Sequence, residues 1–182
     1  MATKRSQLAD AQRRRSFVRL SRRFENWAIR GYVLDVGPRF FLLALVSDRI
    51  WFDGFECFRV NDIRGFKPDP HSSFAEEALK KRRERRPKKP RVSVASLKEL
   101  LLSASRAFPL LTIHREQVAP DVCSIGRVLG VNRGRVSFLE ISPDATWEST
   151  PTEYRLSQIT RVNFDGDYEK ALHLVGGNPS TR

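Results

Sequence analysis

Two segments of the chain carry nearly the same phrase. Residues 57–66 read CFRVNDIRGF, and residues 153–162, which lie 96 positions later, read EYRLSQITRV. A longer stretch, GYVLDVGPRFFLLALV (31–46), aligns with GRVLGVNRGRVSFLEI (126–141). Self-similarity over separate segments in the same order predicts one supersecondary unit that occurs twice. This duplication constrains the fold more than any other feature of the sequence.

The match extends to both sides of these stretches. Upstream, FVRLSRR (17–23) faces LLTIHRE (110–116), and downstream FAEEAL (74–79) faces YEKALH (168–173) within a slip of one residue. The whole chain of 182 residues therefore has the length of two small domains with similar patterns.

Each copy has the pattern of short β-strands. Aromatic and β-branched runs alternate with turn residues, and Asp53-Gly54 predicts a tight hairpin. The second copy replaces this hairpin by a longer one around SPDATWESTPTEY (142–154). In the repeated phrase, Asn61 is expected to cap a single helical turn, and Ile63 to enter the core from it. Phe58, and Tyr154 and Ile159 of the second copy, are expected in the interiors as well.

Helices are predicted around the strands. Ser73-x-x-Glu76 and Ser96-x-x-Glu99 are capping boxes ahead of apolar-periodic runs. The first helix is expected to continue into KKRRERR before Pro87, and the second to stop before Pro109. The N-terminal segment is predicted to be helical to about Arg15 and a strand from Ser16, although its apolar residues up to Trp27 also fit a helical stripe.

The predicted fold class is therefore mainly β with α (α+β), with two tandem SH3/Sm-like small β-barrels and connecting helices. The expected divisions are a basic N-terminal helix or arm (1–15), a first barrel (16–68), a basic helix and linker (73–92), and a helix, second barrel and C-terminal helix (96–177).

Two short motifs support this plan. Ile29-x-Gly31 opens one strand and Ile63-Arg64-Gly65 closes the first domain; in these cues the chain resembles the Sm-like family of small RNA-associated barrels. The likeness covers about residues 17–67 and more weakly 110–164, where Ile159-Thr160-Arg161 lacks the glycine. The chain also looks like bacterial proteins of unassigned role in which two such barrels are paired.

The resemblance does not extend to the family's uridine-binding sites, which use an Asp-x-x-x-Asn-type strand turn. Here Asp35 is followed by Gly37-Pro38-Arg39-Phe40 without an asparagine, and the second copy has Gly130 at the corresponding place. No residue of such a pocket can be assigned from the likeness.

Catalytic motifs are missing from the sequence. The three histidines, His71, His114 and His173, share no motif, and there is no P-loop, HExxH, GxSxG or dinucleotide fingerprint. We therefore predict a protein that is not an enzyme, with no catalytic residues, no cofactor and no metal. The three tryptophans are expected in the cores, with a stacking surface as the alternative for Trp27, Trp51 or Trp147.

The net charge of +12 is concentrated in two segments. Residues 1–30 carry +7 and residues 80–92 carry +8, whereas 31–79 carry −3 and 93–182 carry none. Arginine predominates in both segments, and its planar fork matches phosphate. Dense blocks of this kind usually act as interaction arms.

The candidate nucleic-acid-binding residues come from these two segments. The N-terminal basic segment supplies Arg13, Arg14, Arg15, Arg19, Arg22 and Arg23, and the central basic segment supplies Lys80, Lys81, Arg82, Arg83, Arg85, Arg86, Lys88, Lys89 and Arg91. The predicted function is a non-catalytic RNA-binding or ribonucleoprotein-associated module. A protein-interaction adaptor and solvated, purely structural charge are the alternatives.

The expected location is the cytoplasm. The longest apolar run is FFLLALV (40–46), and no apolar segment follows the basic N-terminus to make a secretory signal. No membrane partner is therefore expected, and the central basic helix has too narrow an apolar face for membrane-surface binding. Cys57 and Cys123 have no metal-binding spacing and are both expected to be buried.

Overall fold

The computed structural model describes residues 3–25 and 27–179. Within them the chain is a mixed α and β protein whose paired strands run antiparallel, as expected for an α+β fold. The described residues up to Lys89 form one compact unit, and those from Pro90 form a second. None of the helices in the described ranges is long and apolar enough to cross a membrane.

The first unit combines two helices with five strands. Its elements are α1 (Lys4–Arg14), β1 (Phe17–Arg22), β2 (Ile29–Val36), β3 (Phe40–Val46), β4 (Phe52–Arg59), a 3-10 turn (Val60–Asp62), β5 (Ile63–Pro68) and α2 (Ser72–Lys81). The strands follow the order β5-β1-β2-β3-β4, so that β4 and β5 are not neighbours and this sheet is not closed.

The second unit follows the same plan. Its elements are α3 (Leu97–Ala107), β6 (Leu111–His114), β7 (Cys123–Asn132), β8 (Arg135–Glu140), β9 (Thr152–Arg155), a 3-10 turn (Leu156–Gln158), β10 (Arg161–Phe164) and α4 (Asp167–Gly176). The strand order is β10-β6-β7-β8-β9, which again leaves the sheet open between β9 and β10.

Corresponding strands of the two units pair in the same register. The matching pairs are Val18–Gly31 and Leu111–Gly126, Leu20–Phe66 and Ile113–Val162, and Phe41–Phe58 and Val136–Tyr154. Each pair agrees with the alignment of the repeated phrases. The two units therefore share strand order and register.

The aligned glycines occupy crowded sites. A Cβ atom on Gly31 would lie 2.1 Å from the Ala44 carbonyl oxygen, and one on Gly126 would lie 2.0 Å from that of Leu139. Real Cβ atoms do not approach this closely, so the neighbouring strand would have to move. Each glycine is required because the next strand lies directly against it.

The sheet of the first unit has a hydrophobic core on each face. Alternating side chains place Val18 and Val33 with Leu8 of α1 in one core, and Phe17 and Tyr32 with α2 in another. Helix α1 therefore covers one face, and α2 covers the other. The expected interior positions are confirmed, since Phe58, Ile63, Tyr154 and Ile159 are all buried.

The helix boundaries agree with the sequence in two places. Helix α1 ends at Arg14 and β1 begins at Phe17, as predicted. The Ser96 cap is also confirmed, because its side chain accepts a hydrogen bond of 3.1 Å from the backbone N–H of Glu99. The C-terminal helix stops at Gly177, whose N–H donates to the His173 carbonyl.

The hairpin prediction at Asp53-Gly54 is wrong. The turn lies at Ser47–Trp51, with Ile50 at a positive φ of 60°, and both Asp53 and Gly54 belong to β4. The pairing of β3 with β4 shifts register at this point, and Gly54 has a φ of 69°. A left-handed glycine at a register shift marks a β-bulge, which uses the same conformational freedom as a tight turn.

The predicted caps at Ser73 and Asn61 are also wrong. Helix α2 begins at Ser72 after His71, and neither it nor the first 3-10 turn has a side-chain cap. The helix enters KKRRERR, as expected, but includes only its first two residues, because it ends at Lys81. Arg83 then takes a φ of 59°, and the Glu84 N–H donates to the Leu79 carbonyl. These bonds form a Schellman-type end.

Candidate nucleic-acid interface

The N-terminal basic segment begins on the last turn of α1. Arg13 and Arg14 extend from the exposed side of this turn, and both pair with Asp10. Their side chains remain 76% and 70% exposed, so these contacts are surface ion pairs of small energy. Arg13 and Arg14 therefore keep guanidinium groups that a phosphate can reach.

Arg15 ends α1 in a left-handed conformation. Its φ is 54°, and the N–H groups of Arg15 and Ser16 donate to the Ala11 carbonyl. Glycine is the usual residue at such a position because a Cβ atom raises the energy of the left-handed region. Arg15 is exposed, and its side chain has no hydrogen-bond partner among the described residues.

Arg22 is not a surface residue. Its side chain is fully buried, forms two contacts with the Glu25 carboxylate at 2.9 and 3.1 Å, and lies 4.4 Å from the centroid of the Phe58 ring. A buried ion pair of this kind is structural, since removing one partner would leave an uncompensated charge. The phosphate-binding role predicted for Arg22 is therefore withdrawn.

Arg19 and Arg23 lie on β1 and just after it. Arg23 is 40% exposed and pairs with the buried Asp62 carboxylate at 2.8 Å. Arg19 is partly exposed and has no ion-pair partner in the described ranges. Of these two residues, Arg19 has the freer guanidinium.

The central basic segment is held against the first unit by three of its cations. Arg82 donates a hydrogen bond of 2.9 Å to the Ile50 carbonyl, and Lys89 lies 2.6 Å from an Asp35 carboxylate oxygen. Arg86 lies 4.0 Å from the centroid of the Tyr32 ring. The segment therefore follows the surface of this unit.

Arg86 brings the two basic segments together. One of its terminal nitrogens donates a hydrogen bond of 3.1 Å to the Arg15 carbonyl. Partial burial lowers the pKa of the Arg86 guanidinium, but arginine stays charged at neutral pH. The C-terminal end of α1 and the segment that follows α2 are therefore in contact through Arg15 and Arg86.

The remaining cations of the central basic segment are exposed. Lys81 is 77% exposed and only 3.8 Å from Glu77, a weak i,i+4 pair. Four exposed cations of the central basic segment form no ion pair with the described residues: Lys80, Arg83, Arg85 and Lys88. Arg91 is exposed as well, but it belongs to the second unit.

Trp27 was expected in a core, and this expectation is wrong. It lies between β1 and β2 and is 66% exposed. It borders a pocket of about 300 Å³ that also involves Arg19 and Lys67.

The other two tryptophans are less exposed than Trp27, and the two cysteines differ from each other in burial. Trp51 and Trp147 are partly buried, and the Trp147 indole N–H donates to the Gly176 carbonyl at 3.2 Å. Cys57 is buried as expected, whereas Cys123 is exposed at the start of β7. The expectation that both thiols are buried therefore fails for Cys123.

The described residues contain no cluster of three or more His, Cys, Asp or Glu side chains that could hold a metal. His114 lies 3.4 Å from the Asn163 amide, and the Glu116 N–H donates to the Thr160 hydroxyl at 3.1 Å. These contacts connect β6 and β10 within the sheet.

No protein-family model, curated protein or solved structure matches the chain.

Proposed function

We propose that the chain is a non-catalytic RNA-binding module of the cytoplasm, built on two tandem SH3/Sm-like small β-barrels. Support for the frame comes from the shared strand order, the shared register and the two close-approach glycines. Support for the ligand comes from the basic segments.

One observation carries the proposal. At the C-termini of α1 and α2, Arg15 and Arg83 occupy left-handed positions where glycine is favoured. Both side chains are exposed, and neither forms an ion pair in the described parts of the chain. Positive-φ residues other than glycine can be retained at functional sites, so these two exposed arginines, each within a basic segment, are the first candidates for phosphate contacts.

The position of the central basic segment supports the same function. Arg82, Arg86 and Lys89 fasten it to the first unit, while Lys80, Arg83, Arg85 and Lys88 remain available. Because these three contacts already hold the backbone of the segment, less conformational entropy is lost when its exposed cations bind phosphate. A single-stranded RNA would follow this row through its backbone, without sequence readout.

The test is a salt titration of RNA affinity. We expect the logarithm of the association constant to fall with that of salt concentration, by roughly 0.7 per phosphate contact on single strands. Replacing the four available cations by glutamine should reduce this slope by up to about 3. Arg82 is left unchanged in this variant because its bonds to the backbone are structural.

A matched variant removes the same charge from the second unit. It replaces four exposed cations outside the basic segments by glutamine: Lys98, Arg106, Arg127 and Arg135. The proposal expects this variant to keep most of the wild-type slope. Equal slopes for the two variants would show that net charge alone attracts RNA, and absence of binding by the wild type at low salt would refute the function.

A protein-interaction adaptor is the second candidate, and one observation favours it. Helix α4 exposes Tyr168, Leu174 and Val175, of which Leu174 is 86% exposed. Large exposed apolar residues in a group often mark a contact surface. If the protein is an adaptor, Leu174→Ser should abolish capture of a protein partner. The variant with four glutamines in the central basic segment should still capture this partner.

A further inference from the structure

A small pocket on the first unit combines an aromatic ring with two cations. It has a volume of about 300 Å³, and Trp27, Arg19 and Lys67 contribute to its walls. Two small residues, Ser21 and Gly65, also line it. The pocket lies at β1 and β5 and does not include the central basic segment.

The Trp27 side chain offers an apolar ring surface to solvent. It is 66% exposed. Exposed aromatic rings beside basic residues are the common means by which proteins hold single-stranded nucleic acids, because every base has a face that can stack. Trp27 meets this description.

The two cations face each other across neighbouring strands. Arg19 of β1 is directly paired with Lys67 of β5 in the antiparallel register. Like charges at directly opposite positions destabilise a sheet, and neither residue has an ion pair in the described parts of the chain. An anion placed between them would remove this repulsion.

The space between ring and cations depends on a missing side chain. Gly65 is paired with Ser21, and a Cβ atom on Gly65 would lie 2.9 Å from the Ser21 hydroxyl. The glycine thus leaves open a volume that a larger residue would fill.

We propose that this pocket binds one nucleotide of a single-stranded RNA. The base stacks on Trp27, and the adjoining phosphate lies between Arg19 and Lys67. This inference rests on the proposed RNA-binding function and adds to it a contact that the basic segments do not supply. Stacking is largely independent of salt, whereas phosphate contacts are not.

The experiment compares two probes, a 12-nucleotide oligoadenylate and an abasic oligonucleotide of the same length and charge. Trp27→Ala should weaken oligoadenylate binding roughly 5- to 150-fold, the range measured for loss of one stacked base, with an unchanged salt slope. The same variant should bind the abasic probe as the wild type does. Trp27→Phe should restore most of the affinity.

Phe74→Ala is the matched control. Phe74 is also 66% exposed and belongs to the same unit, but it lines a different pocket. We expect the Phe74→Ala variant to bind both probes as tightly as the wild type does. Urea unfolding of each variant distinguishes a loss of the binding site from a loss of the fold. The urea concentration at the unfolding midpoint of Trp27→Ala should equal that of the wild type.

The cations are tested separately. Arg19→Gln combined with Lys67→Gln should lower the salt slope by about 0.7, which corresponds to the loss of one phosphate contact on a single strand. Wild-type affinity for oligoadenylate in Trp27→Ala would overturn the pocket and leave the proposed function standing. Failure of the wild type to bind either probe at low salt would overturn both.

Discussion

The guanidinium of Arg86 lies over the ring of Tyr32, 4.0 Å from its centroid. The Tyr32 hydroxyl in turn donates a hydrogen bond of 3.0 Å to a Glu76 carboxylate oxygen on α2. Through this pair, the central basic segment is attached to the middle of the first sheet. The attachment fixes the segment without using its exposed cations.

Removal of this contact is expected to weaken the first unit. Arg86→Ala should lower the free energy of unfolding by about 0.5–2 kcal/mol, because it removes a partly buried cation–π contact. Urea unfolding followed by circular dichroism measures the effect. The neighbouring Arg85 is exposed, so Arg85→Ala should change stability by less than about 0.5 kcal/mol. Equal effects for both variants would contradict the attachment.

Alkaline pH should destabilise the protein through Tyr32. Burial, and next the hydrogen bond to Glu76, raise the pKa of Tyr32 well above its usual value. An unfolded tyrosine releases its proton near pH 10, whereas the folded one keeps it, so stability present below about pH 10 is lost as pH rises further. Tyr32→Phe should show a shallower decline in urea-unfolding free energy between pH 9 and 11.5. An unchanged decline would exclude Tyr32 as its source.

The close-approach glycines can be tested with a control on the same strand. Gly126→Ala should destabilise by about 1–3 kcal/mol or more, since its Cβ atom would lie 2.0 Å from the Leu139 carbonyl oxygen. Gly130→Ala, also on β7, should be tolerated because nothing lies within 4 Å of its added Cβ atom. Thermal unfolding of both variants gives the comparison. Similar losses in the two would show that strand flexibility, and not contact, sets the requirement.

The sequence predicted the features that depend on local pattern. The boundary between α1 and β1, the Ser96 cap and the buried Ile63 and Ile159 all follow from periodicity or from a capping residue, which act over a few positions. The shared register of the two units was also visible, because aligned phrases carry aligned side chains.

Features that depend on distant partners were not predictable. Asp53-Gly54 has the composition of a turn, but the pairing of β3 with β4 uses it as a bulge. The attachment of Arg86 to Tyr32 and the burial of Arg22 against Phe58 depend on tertiary contacts, which the spacing of residues in the sequence does not predict. The exposure of Trp27 depends on where the chain leaves β1, which hydrophobicity alone does not specify.

The left-handed arginines provide the sharpest test of the proposed function. Arg15→Gly and Arg83→Gly should each raise the free energy of unfolding, by up to about 1 kcal/mol, because glycine adopts positive φ without strain. The same variants should bind single-stranded RNA less tightly and with a slightly lower salt slope, since each loses a phosphate contact.

Arg133→Gly is the control: Arg133 has a φ of 45° in the turn between β7 and β8, outside both basic segments. It should gain stability and keep its affinity. Urea unfolding and filter binding of the three variants measure both quantities. If all three gain stability and none loses affinity, the arginines at the helix ends are incidental to RNA binding.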